Sequence, residues 1–457
     1  MRRCLAFVVM LAGPAFADEN ADLDMIPGTM AVAPAPPAET AKAGGRLSLE
    51  NAAAVTALRG NLVVPLPGRT PPRWGNRTSL DARWQWDLGH DVAVTFSDRI
   101  DLYARDGLEF GQGRTAANNL REVYVTWEAA PRLYLEAGRI NVRNGVALGF
   151  NPTDFLRAGT AVDLATADPS ALRENRLGTV MLRTQFIAEW GAVSLAYAPK
   201  LYDPTRIGQG ASAPLDPHID RTNAAERFLA TLHADIGDMA PELLLFRQGD
   251  RTRIGANLTA PIGQQIVAYG EWSGGDAQRL AAESIAYGIR TGVLPAGVPI
   301  LPNASLASGF RQDLALGFSW TGESKVTVNL EYLFHEAGFT RNDWRRWYAV
   351  GRASPLLAGL MWYERAYAAD QQVPVARQQI FVRATWPDAI ARDIDLTALS
   401  FVSLDDGSGF AQVSANWSID RQWSAAAILA SSFGPPRSAY GSLKAAASAT
   451  VHVIRYF

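Results

Sequence analysis

Ser79-Leu-Asp-Ala-Arg-Trp-Gln-Trp-Asp-Leu88 alternates without a break. Leu80, Ala82, Trp84, Trp86 and Leu88 share one face, and Ser79, Asp81, Arg83, Gln85 and Asp87 share the other. Successive side chains of a β-strand point to opposite sides, so this pattern predicts a strand with one apolar and one polar face. Its length separates two kinds of strand. A strand in a water-soluble sheet runs to about 5–6 residues, whereas a tilted strand crossing a hydrocarbon layer needs about 9–11.

Segments of the same character are read at 46–58, 78–89, 92–104, 118–129, 132–142, 177–189, 192–201, 226–237, 241–249, 251–262, 265–274, 309–321, 325–336, 376–387, 393–404, 409–419, 422–432 and 445–457. The parity slips at Gly138-Arg139, which predicts a bulge there. Every second junction is short: Gly89-His90-Asp91, Ala130-Pro131, Trp190-Gly191, then 237–240, 262–264, 321–324, 387–392 and 419–421. Most of the alternate junctions are long, at 59–77, 105–117, 143–176, 202–225, 275–308 and 337–375; those near Asp250 and Asp405-Asp406-Gly407 are tight. This alternation predicts an all-β fold, a transmembrane antiparallel up-and-down barrel of about 18 strands (16 to 18), with short periplasmic turns and long outer loops. Tryptophan supplies an independent sign. Of 13, the eight at Trp84, Trp86, Trp127, Trp190, Trp320, Trp386, Trp417 and Trp423 sit in or near the short turns. They form a candidate membrane girdle, because an indole prefers an interface where its ring is apolar and its N–H is wet.

The last segment, Lys444-Ala-Ala-Ala-Ser-Ala-Thr-Val-His-Val-Ile-Arg-Tyr-Phe457, alternates in the same way up to an aromatic residue. It resembles the terminal signature of Gram-negative outer-membrane β-barrels, although Arg455 stands where that signature carries an aromatic or aliphatic residue. The resemblance implies that Phe457 acts as an assembly signal for barrel-assembly machinery. It also implies a cell outer membrane location, with outer-membrane lipids and lipopolysaccharide as surroundings. Gly138-Arg139 followed by Asn151-Pro-Thr-Asp-Phe155 looks like porin or exporter-type outer-membrane barrels. At fold level the chain resembles eighteen-stranded porins and the alginate-export barrel.

The flanking composition agrees with an envelope address. Arg2 and Arg3, the apolar run 5–11 and Ala15-Phe16-Ala17 read as a secretory signal peptide over 1–17, with cleavage near Ala17. Residues 18–45, with a Pro/Ala-rich run at 31–38, read as a flexible periplasmic lead-in, and 46–457 as the barrel. Cys4 lies within the signal segment, so the remainder has no thiol for disulfides or metal ligation. A net charge of -2 gives no basic surplus for nucleic acid. No apolar run reaches the ~18 residues of a membrane helix.

A search for chemistry finds no nucleophile, phosphate-loop or zinc-protease motif, and His90, His218, His233, His335 and His452 are scattered without metal-ligand spacing. The expectation is a protein that is not an enzyme and needs no cofactor or metal. The polar strand faces carry the candidate lumen residues instead: Asp81, Arg83, Arg99, Glu122, Arg183, Arg227, Arg253, Arg311, Asp313, Glu331 and Arg383. A barrel of ~18 strands leaves an aqueous interior that such charges line.

Two loops stand out. In 143–176, Asn151 and Asp154 make a strong turn signal flanked by Val146, Leu148, Phe150, Phe155 and Leu156, which predicts a loop folded into the barrel mouth as a constriction. In 337–375, Asn342 or Asp343 starts one helix and Ser354-Pro355 another, which predicts a plug or lid. The functional expectation is a channel for a polar small solute of saccharide or organic-acid type. The alternative is an export conduit for a polysaccharide or lipid-like product, working with an inner-membrane transporter.

Overall fold

A computed structural model describes residues 44–67, 71–106, 115–207, 216–295 and 308–457. The expected signal peptide (1–17) and nearly all of the lead-in (18–45) lie outside the described residues. The strands are β1 (Gly44–Leu58), β2 (Trp74–Gly89), β3 (Val92–Arg105), β4 (Ala116–Ala130), β5 (Leu133–Ile140), β6 (Thr179–Ala188), β7 (Gly191–Ala198), β8 (Arg227–Ala234) and β9 (Glu242–Gln248). They continue as β10 (Arg251–Ile262), β11 (Ile266–Ala277), β12 (Gly309–Thr321), β13 (Thr327–His335), β14 (Gln378–Trp386), β15 (Ile394–Ser403), β16 (Gly409–Ser418), β17 (Trp423–Phe433) and β18 (Ala445–Tyr456). All belong to one 18-stranded sheet in which each strand pairs antiparallel with its sequence neighbours. β1 also pairs with β18, from Ser48↔Tyr456 to Leu58↔Ala445, so the sheet is closed and leaves no edge.

Alternation explains how the wall sorts its residues. Leu80, Leu102, Val125, Leu182, Leu258, Leu316, Val413 and Val451 are exposed on the outside, whereas Ser79, Asp101, Asn119, Asn257, Glu271 and Asn329 are buried on the inside. The outward apolar band suits hydrocarbon, and the inward polar positions bond to one another. At the seam the Phe457 N–H donates to the Leu47 carbonyl at 2.9 Å. Arg455, the residue that breaks the apolar alternation, lays its guanidinium 5.4 Å from the Trp423 ring centre and 4.9 Å from that of Phe457. A cation against two aromatic faces keeps its charge partly compensated at the barrel surface.

The irregularity falls on a different strand from the one expected. Gly138, at φ 138, pairs without a shift to both Tyr124 and Met181. The register slips instead between Ser97 and Asp98, where Arg121 of β4 has no partner on β3. That extra residue turns both Arg121 and Glu122 inward, where both are buried. A glycine tolerates the crowded opposite position, since a Cβ on Gly138 would lie 2.3 Å from the Val123 carbonyl oxygen.

The longer connections carry helices: α1 (Pro169–Glu174) in the β5–β6 connection, and α2 (Ile219–Thr222), α3 (Leu280–Arg290), α4 (Arg341–Gly351) and α5 (Pro355–Asp370) in the others. The α4 cap lies earlier than expected. Thr340 is the N-cap, and Asp343 is the third helical residue, closing a reciprocal capping box. Ser354 caps α5 and Pro355 occupies its first turn, as the sequence predicts. Trp344, Trp347, Tyr348, Leu360 and Met361 of this pair form an apolar core with Val64, Leu280, Ile285 and Ala439 from three other outer loops. Four loops are thereby joined into one cap. Each large side chain buried there contributes about 1.5–3 kcal/mol.

Candidate functional site

The loop 141–178 does not extend outward; it folds inside the barrel and is bonded to the wall at central positions of several strands. Glu271 of β11 holds its first bend. One carboxylate oxygen accepts from the Val146 and Ala147 N–H groups at 3.0 and 3.1 Å, and the other from Thr153 N–H and Oγ1 at 2.7 and 2.8 Å. Glu331 of β13 accepts from the Leu148 and Gly149 N–H groups at 2.7 and 2.9 Å, and from the Tyr269 hydroxyl at 2.7 Å. Two wall carboxylates thus take over the backbone donors of a segment that lacks a ladder partner, which a buried backbone requires. Glycine makes the approach possible. A Cβ on Gly145, whose φ is 94, would sit 2.4 Å from a Glu271 oxygen, and one on Gly149 would meet Phe381 at 2.6 Å.

Apolar side chains fill the space around these bonds. Leu156 packs with Met181, Leu229, Leu244 and Phe246 of the wall, and Phe155 stacks on Phe246 with ring centres 4.8 Å apart. Val146, Ala147 and Phe150 pack with Tyr269, Leu333, Phe381 and Leu399. Inside the loop, Arg176 grips Asp154 with two hydrogen bonds at 2.6 and 3.0 Å, and Arg173 lies 3.5 Å from the same carboxylate. Burial by itself raises the Asp154 carboxyl, but the Arg176 and Arg173 guanidiniums outweigh it and hold it below the usual carboxylate range.

The far part of the loop reaches other walls. Asp168 accepts a hydrogen bond from Arg383 Nε of β14 at 3.0 Å and forms an ion pair with its Nη2 at 2.9 Å, and Gln412 of β16 bonds Ala167 N–H and Thr166 Oγ1 at 2.8 and 2.9 Å. On the opposite side Arg77 of β2 donates to the Asp163 carbonyl, and Arg121 of β4 donates to Asn175 at 2.8 Å. The cap is tied in as well: Gly159 N–H donates to the Asp370 carbonyl at 3.0 Å, and Gln372 bonds Arg157 and Thr160 at 2.6 and 2.8 Å. The loop therefore spans the lumen and is locked to both wall and cap.

No family model matches the chain, and no curated protein matches it. Solved structures do match. OccAB1 of Acinetobacter baumannii aligns over 91% of this chain and 96% of its own, with a TM-score of 0.51 and 8% identity. The fold is that of a porin-like outer-membrane barrel. OccK8 (OprE) of Pseudomonas aeruginosa aligns over 91% of this chain and 98% of its own, with a TM-score of 0.49 and 13% identity.

In this porin-like frame the lumen candidates separate into tied and open groups. Arg99 lies 3.2 Å from Glu50, 2.9 Å from Asp101 and 3.6 Å from Asp81, and Arg121 lies 2.5 Å from Asp81, so Asp81 and Arg99 belong to one buried wall network. Arg183 meets Glu136 at 3.1 Å, Arg253 meets Asp313 at 2.8 Å, Asp313 meets His335 at 2.7 Å, and Arg311 meets Glu336 at 3.5 Å. Glu331 and Arg383 pin the loop. Asn151 and Asp154 are buried within it, and Asn151 donates to the Ala147 carbonyl and to Glu271. Arg227 is 5% exposed, and its Nε and Nη1 have no hydrogen-bond partner among the described residues. Among the described residues, Arg83 and Asp163 are exposed charges with only loose ion-pair partners, Asp163 lying 3.7 Å from Arg77. Arg83 has 54% of its side chain exposed, 3.5 Å from Glu122, and Asp163 has 65% exposed.

Of the girdle candidates, Trp86, Trp127, Trp190, Trp320, Trp386, Trp417 and Trp423 are exposed on the outer surface, while Trp84 is half-buried beside Gly45. Asp216, His218 and Asp220 bring three ligand-type atoms within 4.8 Å of one another, a grouping that the scattered histidines of the sequence did not suggest. Arg139, whose guanidinium donates to the Pro217 and His218 carbonyls, is the buried cation that these two carboxylates offset. Asp163, Asp168, Arg173, Arg176 and Gln412 were missed as site residues. Asp and Arg within a loop carry no periodic signal, and only the fold shows which wall they meet.

Proposed function

We propose that this barrel is an outer-membrane channel through which a polar small solute, of saccharide or organic-acid type, passes past the inner loop. The observation that supports the reading is the loop 141–178 held inside the lumen by Glu271 and Glu331. A segment pinned at mid-wall narrows the path without closing the barrel's own circumference, and the open charges at Asp163 and Arg83 face whatever passes. The part of the protein that acts is a shaped polar path, and no bond is made or broken. The exposed tryptophans near the short turns suit the headgroup level of the periplasmic leaflet, and lipopolysaccharide surrounds the barrel's outer half. Segment 1–17 directs export, and Phe457 is presented to barrel-assembly machinery.

The test is reconstitution into planar lipid bilayers. Discrete conductance steps are expected, with ion current interrupted by added saccharide or organic acid. A purified, folded protein that inserts and stays ion-tight overturns the reading.

A further inference from the structure

The outer cap carries a charged groove that takes no part in holding the inner loop. It runs between α4 and the loops 403–409 and 434–444 and encloses about 630 Å³. Small-molecule sites occupy about 300–1,000 Å³. Arg341, Arg345, Arg352 and Arg437 line it together with Asp405 and Asp406. Cations brought together from α4 and the 434–444 loop repel one another, and two carboxylates offset only part of the charge of four guanidiniums. Asp406 is occupied by Ser408 N–H, Ser408 Oγ and Ala439 N–H, at 3.0, 2.6 and 2.7 Å. Asp405 receives Arg341 on its backbone carbonyl, at 2.9 Å, and its Oδ2 is buried without a hydrogen-bond partner. Arg345 has a single long bond to Asn342, at 3.4 Å. The side chains of Arg352 and Arg437 make no hydrogen bond or ion pair with the described residues, and both residues are exposed.

Four arginines against two aspartates leave the groove with a surplus of two positive charges. Planar guanidinium forks suit an oxyanion with several equivalent oxygens. A phosphomonoester offers three such oxygens and about two negative charges above its second ionisation near pH ~6. We propose that this groove is a binding site for a small phosphorylated ligand on the outer face of the cap. The assignment rests on the channel reading only for which side of the membrane the groove faces.

Calorimetric titration of the full-length protein in zwitterionic detergent, with glucose 6-phosphate as probe, tests it. Arg352→Ala/Arg437→Ala removes two side chains that bond nothing else, so unit conductance and melting are expected to stay as in the wild type. Binding is expected to weaken about tenfold or more in that variant, the size of lost charge-assisted bonds at an exposed site. It is also expected to weaken between about pH 8 and about pH 5 as the phosphate loses its second charge. Equal affinity in wild type and variant, or succinate binding as tightly as glucose 6-phosphate, overturns the proposal. Reconstitution into phosphatidylcholine vesicles with and without phosphatidic acid separates the sources. Displacement of the probe by phosphatidic acid assigns the groove to a lipid phosphate, and undiminished probe binding assigns it to a free solute. A wild type that binds the probe but stays silent in bilayers removes the channel reading and leaves the groove; a conducting protein that binds no probe does the reverse.

Discussion

Arg176 closes a two-pronged ion pair on Asp154, Nη1 to Oδ2 at 2.6 Å and Nη2 to Oδ1 at 3.0 Å, with 3% and 2% of the two side chains exposed. The pair lies within a single loop, so it does not join the barrel wall to anything. It sets the shape of the segment that Glu271 and Glu331 then hold against the wall. Arg176 also donates to Asn141 at 2.8 Å and to the Val142 carbonyl at 2.6 Å, which binds the two ends of the loop together where they leave β5 and enter β6.

Arg176→Ala leaves the Asp154 carboxylate buried without its two-pronged partner, with Arg173 and Arg157 still near it. Loss of one partner of a buried pair costs about 3–5 kcal/mol. Because the barrel ladder does not depend on this pair, the cost is expected to appear as a loosened loop rather than as an unfolded wall. Single-channel recordings are expected to show a larger and noisier open level, with unchanged heat resistance of the barrel on gels. A quiet, wild-type trace rules out this role for the pair.

Acid is expected to act on the same contact. The folded-state pKa of Asp154 is depressed by its guanidinium neighbours, so the stabilisation is complete above the unfolded aspartate value of about 3.9. It is lost as pH falls through the lower folded value, when the carboxylate takes up a proton. Loop opening is therefore confined to strongly acid solution, and conductance between about pH 5 and about pH 8 is expected to be flat with respect to this group. In Asp154→Asn the acid-induced change disappears, which current recordings across a pH series measure directly.

The cap carries the opposite sign. Glu364 of α5 is 1% exposed, its Oε1 has no hydrogen-bond partner, and it borders a cavity of about 40 Å³ lined also by Arg279, Asp343 and Arg346. Burial, with Asp343 adding to it, pushes its carboxyl up to about 8. A raised folded-state pKa means that stability is full below the unfolded glutamate value of about 4.3 and is lost as pH rises through the folded value. Glu364→Gln keeps the shape and cannot ionise. Limited proteolysis of the cap at pH above about 8 is expected to be slower in the variant than in the wild type, with little difference at about pH 5. Equal rates at both pH values would mean that the carboxylate finds compensation when charged.

Selectivity is expected to depend on exposed charge and not on the number of arginines in the wall. Arg83→Ala removes a guanidinium that is 54% exposed, and should shift the reversal potential in a salt gradient toward cation preference. Arg311→Ala removes one that is 17% exposed and paired with Glu336, and a much smaller shift is expected. Equal shifts from the two substitutions would show that pairing does not screen the wall charges.

Deletion of Phe457 tests the seam. The Phe457 N–H bonds Leu47 across the β1–β18 junction at 2.9 Å, and its ring holds one side of Arg455. The expected outcome is a lower yield of assembled barrel in membranes, with each inserted barrel conducting as the full chain does. Normal yield from the shortened chain would remove Phe457 from the assembly step.

Strand identity was legible in the sequence because it is a local property. A strand that separates hydrocarbon from a polar interior must alternate at every residue, so Ser79 to Leu88 announces both its conformation and its two faces. The same holds for the short turns and for the helices at 341–370, where capping residues and apolar spacing lie a few positions apart. What the tertiary structure decided is where the polar faces lead. Arg83 and Arg99 are inward-facing arginines on adjacent strands, β2 and β3, yet one is open to the lumen and the other is locked among Glu50, Asp81 and Asp101. Glu271 and Glu331 look like any lumen carboxylates until the loop 141–178 brings five backbone N–H groups and the Thr153 hydroxyl onto them. Alternation tells which way a side chain points, but ion pairing depends on which residues meet across the lumen. Some of those partners come from segments more than a hundred residues apart, as for Asp168 and Arg383.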